Sequence, residues 1–239
     1  MSRAPQRIID LAHLLKPVRN EVVGLLFNRY VFRTLQEIIR RNGRLQGLPR
    51  GKFSDWSQVL YAVATSVHIR RLANESYQRQ DISLTKILDD AIRDPRDLWR
   101  CFDKHFPLEA ERAMLAARRR GTAPLEVEAC RRLLGYERTL LLRQCEKAIE
   151  FASRRVAHSN PSVEVRTKFR DLDQAVDAIR LITEKITLLL YDRPHDLFEE
   201  MMSRKISPGW DAIFLEPWAT REMLALPLGE MEPPRHSSQ

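Results

Sequence analysis

The chain has 239 residues, 44% hydrophobic and 30% charged, with only 8 glycines and 13 prolines. That length suits one large domain or one domain with an appendage, and the apolar share can fill a sizeable core beneath a solvated surface. A formal charge of +8 attracts phosphate polyanions or acidic surfaces, and it equally fits a basic protein without such a partner.

Cys101, Cys130 and Cys145 form no CxxC pair, which argues against a disulfide framework and against a zinc site. The opening MSRAPQRIIDLAHLL has no long apolar stretch with a small-residue cleavage site. No uncharged apolar run reaches the ~18 residues of a membrane span. The expectation is a cytoplasmic protein with reduced thiols and no membrane partner.

Helical periodicity dominates from the start. A short helix is predicted near 5–15, ahead of Pro17, and a longer one over 19–42 with Val22, Leu26, Tyr30 and Leu35 recurring every three to four residues, closed by Asn42-Gly43. Ser54 is placed as the N-cap of the next helix, 54–75, whose apolar stripe is Trp56, Leu60, Val63 and Val67. Ser83 is the next N-cap, with Ile82 and Ile87 in the positions of a hydrophobic staple. Asp94-Pro95 restarts a helix, and a charged peripheral helix runs from Pro107 to Arg120, ending at Gly121.

A long helix follows over 124–157, with Gly135 as a point of disturbance. The clearest amphipathic helix is 171–191, where Leu172, Val176, Ile179, Ile182, Ile186 and Leu189 share one face. Pro194 begins a short helix, SPGWDAIFLEPWAT docks two Trp and a Phe on the body, and the final GEMEPPRHSSQ is expected to be disordered. No stretch alternates with period two over strand length. The predicted fold is all-α, a bundle whose main helices lie near 19–42, 54–75, 124–157 and 171–191, with short peripheral helices and a partly irregular tail. Residues 1–205 are expected to form the helical domain and 206–239 a C-terminal extension, with disorder expected over its last ten or so residues.

Familiar chemistry is absent. The chain has no phosphate-binding G-x-x-x-x-G-K-[ST], no G-x-G-x-x-G and no G-x-S-x-G. Its six histidines are scattered without a metal-ligand spacing, so no metal and no cofactor are expected. Arg118–Arg120 reads as a solvated helix end, His68 as a hydrogen-bonded core or interface residue, and Asp89-Asp90 as a solvated face.

On a helical wheel of about 100° per residue, Leu141, Cys145, Ala148, Ala152 and Val156 form the core stripe of the long helix. Leu140, Phe151 and His158 fall on a second line, a face for another helix or another subunit. Arg154 and Arg155 lie one turn before His158. Geometry alone leaves two readings: a histidine and arginines that complement the negative helix end, or a site.

The stretch RRVAHSNPSVEVRTKFRDLDQAVDAIRLITEKI resembles the end of a HEPN domain, and VHIRRLANESYQRQDISLTKILDDAIRDP resembles a segment of its abortive-infection U-type branch. Together the two lie within residues 20–192. The resemblance implies a four-helix bundle that dimerises so that the histidine motifs of two subunits share a cleft. It implies a metal-independent endoribonuclease of the toxin or antiphage kind, with RNA as partner and a cognate antitoxin protein.

His158 matches the family histidine, and Asn160 and Pro161 fit the polar turn after it. The family motif is an arginine, four to six intervening residues and then the histidine, and the positions for that arginine here hold Ser153, Ala152 and Phe151. Arg154 has only three residues between it and His158, and with Arg155 it is the candidate phosphate-binding group beside a catalytic His158. Arg71, in RRLAN, is a candidate for site support or RNA binding, with a structural ion pair as its alternative. A non-catalytic module that binds RNA, a nucleotide or a protein is the alternative function.

Overall fold

The computed structural model describes residues 6–41, 52–74, 82–121, 124–157 and 167–205. Every regular element among them is helical, so the chain is all-α. In chain order, α1 covers Gln6–Arg41, α2 Lys52–Ala73, α3 Leu84–Arg93 and α4 Trp99–His105, the last entered through a 3-10 turn at Arg96–Leu98. Then come α5 at Pro107–Arg119, α6 at Leu125–Phe151 with a π-helical continuation at Ala152–Ala157, α7 at Phe169–Tyr191 and α8 at Leu197–Lys205. The extension expected at 206–239, with its disordered end, lies outside the described residues.

Local signals account for several boundaries. Ser83 caps α3, its Oγ accepting from the Lys86 amide at 3.2 Å. Pro107 occupies the first turn of α5, where its missing N–H loses no helical acceptor. Gly121, just past α5, has a φ of 66°, a left-handed conformation that costs glycine little. Asp192 closes α7 at a φ of 54°, and Lys104 and His105 hold its carboxylate at 2.8 and 2.6 Å.

Other boundaries correct the sequence reading. Pro17 does not separate two helices, because α1 runs through it. Its ring is exposed while Leu15 and Val18 beside it are buried. Apolar burial on both sides therefore offsets a break that costs ~3 kcal/mol. α2 starts at Lys52, which leaves Ser54 inside the first turn rather than capping it. α6 continues through Gly135, where an added Cβ would meet nothing within 4 Å. α8 begins at Leu197 instead of Pro194, with the Asp196 carboxylate accepting from the Phe198 and Glu199 amides at 2.8 and 3.1 Å.

The stripe expected on α2 turns outward in its first half, while Val63 and Val67 are half-buried. Trp56 is 58% exposed and Leu60 50%, whereas Ser57, Tyr61, Thr65, Ile69 and Leu72 are buried. The two lines differ by one residue, a rotation of about 100°. Phe32 of α1 stacks on Tyr61 with ring centroids 4.0 Å apart, and Phe169 tilts against both rings. That aromatic cluster selects which line faces the core.

The long helices pack antiparallel in sequence-distant pairs. α1 meets α2 through Glu21–Arg71 at 2.7 Å and Gln36–Ser57 at 3.2 Å. It meets α7 through Arg29–Asp177 at 2.8 Å and through the pair Arg33–Asp173. α6 meets α7 through Lys147–Asp171 at 3.0 Å and Glu137–Lys185 at 2.5 Å, and it also packs on α2, α3 and α5. The stripe Leu172, Val176, Ile179, Ile182, Ile186 and Leu189 is buried between these helices, as its spacing predicts. Phe169 touches Tyr61, and the π turn packs on α2. The end of α6, the start of α7 and the first half of α2 therefore share one end of the molecule.

Candidate functional site

The long helix α6 leads into the motif singled out by the sequence. Leu141, Cys145, Ala148 and Ala152 are buried, so its predicted core stripe holds as far as the π turn. His158 and Asn160 lie outside the described residues, as do the side chains of Arg155 and Val156. A π turn bonds i to i+5, so each residue advances by less than the ~100° of an α-helix. The wheel that aligned His158 with Leu140 and Phe151 took α geometry to the end, and Ala152–Ala157 departs from it. Leu140 lines a cavity between α6 and α7, which Phe151 does not.

A separate open groove of about 790 Å³ runs along α6. Arg138, Arg143 and Arg154 border it, together with Thr139, Glu150 and, from the end of α2, Asn74. Arg138 donates to Asp89 at 2.5 Å, and Arg154 pairs with Glu150 one turn back at 3.1 Å. For Arg143 there is no carboxylate partner among the described residues, and its side chain is exposed. The groove is thus bordered by three guanidiniums, two of them held by carboxylates, with Glu146 and Glu150 also in its lining. Such an edge can bind phosphate by exchanging a carboxylate for a phosphate oxygen.

Arg71 does not join Arg154. It donates instead to Glu21 of α1 at 2.7 Å, the structural ion pair that was its alternative reading. Asn74, three residues further on, reaches the groove in its place. That signal was present in the sequence, since Asn74 ends the same RRLAN segment. Arg143 carries no local mark that separates it from other exposed arginines.

Neighbouring groups are settled by burial and pairing. Lys147 donates to Asp171 and holds its carboxyl below the ordinary range, with the Lys168 amide adding to the effect. Burial pushes the Cys145 thiol up to about 12, so it is no nucleophile near neutral pH. Asp89 and Asp90 are ion-paired, to Arg138 and Arg93, rather than simply solvated. The Nδ1 of His68 is buried with no hydrogen-bond partner among the described residues, which departs from the expected bonded histidine. Among the described residues no three His, Cys, Asp or Glu side chains converge as metal ligands would. No helix among them is long and apolar enough to cross a membrane.

Fold and groove together define an all-α protein with an arginine-bordered groove along a central helix. No protein-family model matches the chain, and no curated protein or solved structure does either.

Proposed function

We propose that this chain is a HEPN-type, metal-independent endoribonuclease of the toxin or antiphage class, with a cognate antitoxin as protein partner. The observation that carries this reading is the path of α6. The helix that leads toward RRVAHSNP borders an open groove with three arginines, and it widens into a π turn just before His158. π turns inside helices concentrate at functional sites.

RNA supplies its own nucleophile. The 2′-OH attacks the adjacent phosphorus while an imidazole takes its proton, and the 5′-oxygen leaves with a proton from a second imidazole. The products are a 2′,3′-cyclic phosphate and a 5′-OH. Histidine suits both transfers because its ordinary pKa is near neutrality. Arg154, with Arg155, stabilises the negative charge that builds on the phosphorane oxygens. Asn74 serves the polar rim, Asn160 is the candidate polar group after His158, and Arg71 supports α2 from behind by its bond to Glu21.

One histidine per chain becomes two in a dimer. Trp56, Val59 and Leu60 are 58, 62 and 50% exposed on α2, at the end of the molecule where α6 finishes. A two-fold contact through that stripe brings two copies of the motif together.

The pairing of Arg154 with Glu150 favours the second reading, a non-catalytic module that binds RNA, a nucleotide or a protein. Incubating the purified protein with several RNAs, tRNA included, in EDTA separates the two. Cleavage that persists and leaves a 2′,3′-cyclic phosphate supports the enzyme. Binding with no cleavage of any RNA leaves the module.

A further inference from the structure

The groove along α6 carries a carboxylate that its arginines do not neutralise. Glu146 borders it together with Arg143, three residues and so ~4.5 Å of helix axis away. Both side chains are exposed. Their spacing permits a pair, yet no ion pair joins them or ties either to another described residue. Glu150 differs, since Arg154 holds it at 3.1 Å. Leu142 and Ile149 stand in the same lining and are half-buried, an apolar strip beside the two open charges. The volume of about 790 Å³ falls within the ~300–1,000 Å³ of pockets that take small ligands. Within two turns of helix a ligand therefore meets a cation, a carboxylate that only accepts hydrogen bonds, and apolar surface.

We propose that this groove receives one unpaired base of a single-stranded RNA, and that Glu146 selects guanine there. The inference rests on the RNA reading given above and adds to it the identity of the base. A phosphate on Arg143 is repelled by Glu146 beside it, so a backbone laid straight along the helix fits poorly. A base turned toward the carboxylate removes that conflict. A cationic peptide side chain would satisfy Glu146 but would face Arg143 one turn back. A nucleotide carries both an anion and hydrogen-bond donors, at opposite ends. Because an ionised carboxylate only accepts, the base must donate. Guanine presents N1–H and an N2 amino hydrogen side by side, one for each carboxylate oxygen. Adenine and cytosine present an amino group next to a ring nitrogen with a lone pair, and uracil presents N3–H between two carbonyls. Each of these sets an acceptor against a carboxylate oxygen. The base lies on Leu142 and Ile149 while Arg143 holds a phosphate. Only an unpaired base exposes this edge, which excludes duplex RNA.

The test measures Kd of the full chain for the 2′-O-methyl pentamers UUGUU, UUAUU, UUCUU and UUUUU, and for UUIUU, in which inosine lacks the 2-amino group of guanine. Their 2′-oxygens carry no proton, so they cannot be cut and the outcome does not depend on catalysis. The wild type should bind UUGUU at least about fivefold more tightly than UUUUU, the lower end of what a bidentate base contact contributes, with UUIUU in between. Glu146→Gln, matched to the wild type in circular dichroism, should bring that ratio close to one. Arg143→Ala should weaken all the pentamers together and leave the ratio in place. Equal Kd values for the wild type across the set would overturn the base assignment while leaving the RNA reading standing. A ratio unchanged in Glu146→Gln, with every pentamer bound more tightly, would make Glu146 a repelling charge alone and overturn it too. Binding of neither the pentamers nor a tRNA would remove both readings together.

Discussion

Arg154 is held by a carboxylate one turn back. Glu150 holds it at 3.1 Å, and the pair is largely solvated, so the bond is worth no more than about 1 kcal/mol. A phosphate can therefore displace the carboxylate at small cost. Glu150→Gln should tighten RNA binding by a factor of up to about 5, measured as a lower Kd at fixed salt. Weaker or unchanged binding would place Arg154 away from the RNA. The thiols give a second residue-scale expectation. Burial pushes Cys130 and Cys145 up to about 12 and also raises Cys101, which is half-exposed. A thiol reagent at pH 8 should therefore label Cys101 slowly and the other two only after denaturation. Tyr61, likewise raised by burial to about 12, adds to the consequence. The folded chain keeps these protons where the unfolded chain has released them, so stability is full below the unfolded values and falls as pH rises toward 12. A melting temperature that declines above about pH 9 would show it. At this scale the buried line Leu141, Cys145, Ala148 and Ala152 leading toward RRVAHSNP was legible in the sequence. The π turn before His158 was not, because no residue type marks it and it arises where the helix end packs on α2.

Among the elements, α7 was the most legible and α2 the least. In α7 the apolar residues fall on one line and the polar residues elsewhere, so periodicity names the buried face without help. In α2 two adjacent lines compete, and the small Ser57 and Thr65 share the buried one with Tyr61, Ile69 and Leu72. Only the stacking of Phe32 on Tyr61, a partner distant in sequence, decides between them. Pro17 and Gly135 misled for a related reason: each is a local breaker signal, and packing along the rest of its helix overrides it. The energetic order of the elements can be measured. Leu141, fully buried in the middle of α6, should cost about 2–5 kcal/mol on Leu141→Ala. Loss of the α3 cap in Ser83→Ala should cost only about 1 kcal/mol. Chemical denaturation checks both, and a Ser83→Ala cost equal to that of Leu141→Ala would contradict the packing described.

At the scale of the whole molecule, composition and periodicity made the all-helical class readable, while the groove was not. Its walls come from the end of α2 and the length of α6, segments far apart in the chain that only packing brings together. The first half of the α2 stripe, Trp56 and Leu60, is exposed, because periodicity alone does not say which of two adjacent apolar lines a fold buries. If that stripe is the dimer contact, Leu60→Glu should give a monomer by light scattering at micromolar concentration with its helical content intact. A dimer that persists would move the contact elsewhere. The reading of the whole rests on His158, and the most direct measurement is RNA cleavage by the wild type and by His158→Ala, matched in circular dichroism and tested on the same set of RNAs. The account predicts cleavage by the wild type and a fall of at least about 10² in rate for His158→Ala, the lower end of what a positioned proton-transfer group contributes. Equal cleavage by the two proteins would contradict it.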